Sequence, residues 1–144
     1  MTGPDAEAQP GYAIAVTVDR PFAQVLSATR DALAAEGFGV LTEMDMQATL
    51  KAKVGADIAP QVILGACRPP LAHAALLAEP SIGLLLPCNV VVRSVAGDRT
   101  RVETIDPAVM VSITGNPDLQ AVATEAGARL TNALRSLTQA PPAA

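Results

Sequence analysis

Apolar residues recur along this chain in two rhythms, every second residue in some stretches and every third or fourth in others, and the changes of rhythm divide it into elements. "YAIAVTV", residues 12–18, is short and rich in β-branched residues, which predicts a strand. In "DRPFAQVLSATRDALAAEG" the residues Phe22, Val25, Leu26, Thr29 and Leu33 fall on one stripe at helical spacing. Asp19 is the expected cap of this helix, Pro21 suits its first turn, and Gly37 is placed to end it in a left-handed conformation. "FGVLTEMD" alternates, which assigns Phe38, Val40, Thr42 and Met44 to one face of a strand and Leu41 and Glu43 to the other.

"DMQATLKAKVG" predicts a short helix capped by Asp45 and closed by Gly55, with Met46, Leu50 and Val54 on one side, and "QVILGAC" a buried strand. Pro69 and Pro70 stop that strand and open a helix, "PLAHAALLAEP", which Pro80 ends. "IGLLLPCNVVVRSV" reads as one long strand, bent or bulged at Pro87, where a ladder donor is missing. A two-residue turn at Gly97 and Asp98 returns the chain through "RVETID", setting Asn89 opposite Asp106 and Cys88 opposite Pro107. "PAVMVSITG" is expected to be a loop. Asn116 and Pro117 then start a long helix whose stripe of Leu119, Val122, Ala123, Ala126, Leu130, Leu134 and Leu137 must be covered by a sheet or a partner. This order predicts an α+β domain with a largely antiparallel sheet and helices over one face.

A chain of 144 residues has room for one domain, expected over residues 12–138, with residues 1–11 and 139–144 as flexible tails. Only 2% of the residues are aromatic, so the core must be aliphatic, with many small Ala residues. The net charge of −4 and the lack of any Lys/Arg run argue against nucleic acid as a partner. No apolar stretch approaches bilayer length and no signal peptide opens the chain, so membrane insertion is not expected. With two cysteines and no export signal, the expected location is cytoplasmic, with both thiols reduced.

The only histidine and both cysteines fall between residues 67 and 88. Cys67, His73 and Cys88 offer three ligands for a transition metal such as zinc, which would need Glu79, Asp106 or water as a fourth. Cys67 precedes a helix start, where a dipole can favour a thiolate, so it is also a candidate nucleophile or redox thiol, with His73 as its base. Asn89, Asp106 and Glu43 form a candidate polar cluster, although Asp106 before Pro107 equally suits a turn whose backbone amides it accepts from. Against all of these stands the plain reading of two core cysteines and a half-exposed histidine.

Three blocks carry a resemblance: "GFGVLTEMDMQATLKAKVG", "ILGACRPPLAHAALLAEPSIGLLLPCNVVV" and "ETIDPAVM". Together they resemble the DUF302 family, also called TT1751-like, over about residues 13–137. The resemblance implies a TBP-like α+β fold, a curved antiparallel sheet with helices packed on one side. It implies no activity, so a site must be argued from the residues. The expectation is a homodimeric binding module for a small ligand or metal near Cys67, His73, Cys88, Asn89 and Asp106. A thiol-dependent redox protein or enzyme using Cys67, and a structural interaction partner, are the alternatives. The run "AHAALLAEPSIGLLLP" is the candidate surface for a second copy.

Overall fold

The computed structural model describes residues 9–139; the parts of the expected tails at residues 1–8 and 140–144 lie outside the described residues. Five strands, β1 (Ala13–Val18), β2 (Gly39–Asp45), β3 (Gln61–Cys67), β4 (Cys88–Ala96) and β5 (Arg99–Ile105), form one antiparallel sheet in the order β1-β5-β4-β3-β2. The helices are α1 (Phe22–Ala35), α2 (Met46–Val54), α3 (Pro69–Ala78), α4 (Ala108–Thr114) and α5 (Gln120–Thr138). The architecture is therefore α+β, as the order of elements predicts.

Alternation decides which face is closed. Val62, Leu64 and Ala66 on β3, Cys88, Val90 and Val92 on β4, and Val102 on β5 all point to the side that α1 and α5 cover. Val25 and Leu33 of α1 and Leu130, Ala133, Leu134 and Leu137 of α5 pack on them in one cluster. Every residue of the stripe expected on the last helix is buried. A second, smaller core joins Ala75, Ile82, Met110, Leu119 and Val122, and it holds α3 and α4 against the start of α5.

Several local expectations are corrected. Pro21 is extended and precedes the first helical residue, which leaves Asp19 too far upstream to cap α1; its carboxylate instead accepts from Arg99 Nε at 2.8 Å. The stripe on α2 is not buried, because the helix sits at the outer end of β2 with Val54 exposed. In β2 a bulge between Val40 and Thr42 breaks the alternation, so Val40 pairs with Ala66 and Glu43 with Leu64 on the helix side. Thr42 and Met44 consequently turn to the opposite face, away from Val40, and Glu43 reaches Arg30 of α1 in an ion pair.

Residues 80–85 are not strand. Pro80–Leu85 is a 3₁₀ turn, in which the Ile82 N–H donates to Glu79 O at 3.0 Å and Ile82 becomes an anchor of the second core. "PAVMVSITG" is not a loop but α4, started when the Ala108 N–H donates to Asp106 Oδ1 at 3.0 Å and ended by Gly115 in the left-handed region at φ 67°. Its β-branched composition disguised a helix in which Met110 alone is buried.

At Gly65 the sheet is packed so closely that no side chain fits. A Cβ there would collide with Thr42 Oγ1 and come within 2.8 Å of Pro87 Cγ. Gly65→Ala should therefore lower stability by about 2 kcal/mol in urea unfolding, the usual cost of overfilling a packed site. Combining it with Thr42→Ala should recover part of that loss; full stability of the single variant would show the contact to be soft.

Candidate functional site

Cys67 ends β3 and Cys88 begins β4, and the pairing of Ala66 with Cys88 sets the two cysteines one residue apart in register. Cys88 sits in the main core, while Cys67 is half-buried at the strand end; both thiols are free and both line one small hollow. His73 is exposed on α3 and is not among the residues bounding the hollow that the two cysteines share. The metal set expected from the sequence is thus not assembled: among the described residues no group of three or more His, Cys, Asp or Glu side chains is placed to hold an ion. The physical reason is helical phase, since Ala75 takes the buried position of α3 and turns His73 outward.

The helix start beside Cys67 offers no donor to a thiolate. Pro69 and Pro70 have no N–H, and the N–H groups of Leu71 and Ala72 both donate to Arg68 O at 3.0 Å. The hollow between the two cysteines is about 30 Å³, bounded by Phe38, Leu71, Met110 and Val122 among others. That is space for about two waters, and its apolar walls give them few partners. Burial first, and the neighbouring Cys67 second, push the Cys88 thiol up to about 11.

Larger hollows lie at the same end of the sheet, around the residues that follow Cys88. One of about 190 Å³ is walled by Leu85, Pro87, Asn89, Ile105, Val109 and Ile113. Another of about 230 Å³ runs between Tyr12, Ala13, Asn89, Val91, Glu103 and Ile105. Asn89 and Ile105 belong to both. The hairpin expectation had set Asn89 opposite Asp106; the turn does begin with Ala96 opposite Arg99, but a bulge between Ser94 and Ala96 shifts the ladder by one. Val90 then pairs with Thr104, and the same register brings Asn89 beside Ile105. Asp106 is spent as the turn starter of α4, and Glu43 lies on the other face, so the polar cluster of Asn89, Asp106 and Glu43 does not form.

Glu103, in the wall of the second hollow, accepts from Arg93 Nε at 3.2 Å and from Arg101 Nε at 3.1 Å, and Arg101 Nη1 reaches Thr17 Oγ1 at 3.3 Å. Arg101 is only 4% exposed. Sequence reasoning missed Glu103, Ile105 and Tyr12: the β4 bulge sets Ile105 beside Asn89, and the pairing of Ala13 with Ile105 carries Tyr12 to the same hollow.

The sequence matches the family described as a domain of unknown function, DUF302, over residues 14–137. The chain belongs to the DUF302 family. A solved relative, titled as the crystal structure of an uncharacterized conserved DUF302 protein from Bacillus stearothermophilus, is 28% identical. The likeness covers 88% of this chain and 98% of that one, with a TM-score of 0.80. No curated protein matches. Among the described residues no helix is long and apolar enough to cross a membrane.

The raised Cys88 value makes a pH prediction. A thiol ionising at 9.0 when unfolded and at about 11 when folded keeps its full stabilising effect below pH 9.0 and loses it as pH rises toward 11. The loss attributable to Cys88 should be about 2 to 3 kcal/mol, read as the difference between the wild-type and Cys88→Ala stability curves over that range. Near neutral pH, iodoacetamide should modify Cys67 in the folded protein and Cys88 only in denaturant; modification of both at similar rates would contradict the burial described here.

Proposed function

We propose that this DUF302 domain is a cytoplasmic, homodimeric binding module for a small, mainly apolar molecule that carries one hydrogen-bonding group, held in the groove that meets at Asn89. The observation that carries this reading is the sharing of Asn89 and Ile105 by two adjoining hollows of about 190 and 230 Å³. Together they have the size and the mostly apolar lining of small-molecule sites, with few polar groups converging. Asn89 is exposed, and its side-chain amide has two donors and an acceptor with which to orient a ligand. Two unbridged thiols suit a reducing compartment. Catalysis by Cys67 is the weaker reading, because neither a base nor a free helix N–H stands ready to activate it.

Indole, an apolar ring with one N–H, is a suitable probe. Titrated into ¹⁵N-labelled protein, it should shift the amide resonances of Asn89, Val91 and Ile105 in a saturable way. Asn89→Leu should weaken binding about tenfold, the value of one lost hydrogen bond. Shifts that fail to saturate, or that cluster away from these strands, would remove the groove from consideration.

A further inference from the structure

The fold brings the chain's only two cysteines together from opposite ends of the segment that carries α3. Ala66 is the cross-strand partner of Cys88, so Cys67 lies one residue along β3 from direct opposition. With strands about 4.8 Å apart and a rise of about 3.4 Å per residue, that offset sets the two Cα atoms roughly 6 Å apart. Disulfides span Cα separations of about 4.4 to 6.8 Å, so bridging asks for side-chain rotation rather than strand movement. An unbroken ladder would point the two side chains apart. Cys67, however, is the last residue of β3 and Cys88 the first of β4, and both bound the same hollow of about 30 Å³. Each thiol also lies within reach of the other's charge, since Cys67 adds to the upward push on Cys88.

We propose that Cys67 and Cys88 form a reversible disulfide with a peroxide as oxidant, Cys67 being the thiol that reacts first and Cys88 the thiol that resolves. Burial assigns the roles: Cys67 is half-buried, whereas Cys88 belongs to the core. Space for about two waters is room for one hydrogen peroxide between them. Cys67 gives up its proton and its sulfur attacks one peroxide oxygen; the O–O bond breaks, and the departing hydroxide takes that proton to become water. Cys67 is then a sulfenic acid. The Cys88 sulfur attacks the sulfenic sulfur, the S–O bond breaks, and the second hydroxide leaves with the Cys88 proton as another water. Two thiols are oxidised and one peroxide is reduced. Arg68 bounds the same hollow, where it places a cation beside the departing hydroxide, and its buried Nε has no hydrogen-bond partner. In a reducing compartment such a bridge is transient and serves as a sensor rather than a staple. Cys88 also lines the hollow of about 190 Å³ next to Asn89, so bridging is felt in that wall. The bridge itself does not depend on whether that groove binds a ligand.

Hydrogen peroxide added in small excess to the folded full chain near neutral pH, followed by intact-mass spectrometry, tests this. The expected product is a single chain lighter by two hydrogens, with the peptides holding Cys67 and Cys88 joined after digestion, and dithiothreitol should restore the original mass. Cys88→Ala should instead accumulate a Cys67 sulfenic acid that dimedone captures. Cys67→Ser should give neither bridge nor dimedone adduct; because position 67 is half-buried, this variant keeps the test sound if the core substitution unfolds the chain in circular dichroism. Four results would overturn the proposal: both thiols left unoxidised, Cys67 carried to sulfinic acid while Cys88 stays a thiol, disulfides only between chains, or a bridge that forms only in urea.

Discussion

The rest of the structure depends on the alternation of side chains in the three inner strands, β3, β4 and β5. Val62, Leu64, Val90, Val92 and Val102 all fall on one side, and burying them demands a lid of matching apolar stripes. The helices α1 and α5 supply it. With so few aromatic residues, the contact is made by short side chains, and Ala123, Ala126 and Ala133 let α5 come close to the sheet.

The other face must then reconcile polar groups at close range. Arg93 and Arg101 are direct cross-strand partners, an arrangement that repels by itself. Glu103, two residues further along β5 on the same face, takes one guanidinium on each carboxylate oxygen and offsets the repulsion. Removing Glu103 would leave a nearly buried Arg101 uncompensated, which is a large cost rather than a small one. Gly65, overlain by Thr42 and Pro87, pairs with Asn89 of β4, which borders both larger hollows.

Burial separates the two cysteines chemically, although both line one small hollow. Cys88 is drawn into the core and kept protonated, while Cys67 stays at the strand end beside a helix whose first donors are absent or already used. Their closeness in sequence to His73 gave them the look of a ligand set. Helical phase and strand phase, which act independently of one another, turn the imidazole to solvent and one sulfur inward.

The sequence by itself determined most of the elements, because hydrophobic periodicity is a property of contiguous residues: the stripe from Leu119 to Leu137 and the strand run "NVVVRS" are complete within their own segments. It also carried the DUF302 family, since three long blocks of residues are present together. The two bulges, at residues 41 and 95, could be decided only by the tertiary structure. Each adds a residue to one strand without altering its composition, and the choice depends on how neighbouring strands pack. On those bulges turn the face of Thr42, the partner of Asn89 and therefore the whole groove. α4 was hidden for a related reason: its β-branched residues favour no helix alone, and it forms because Asp106 caps it and Met110 finds the second core.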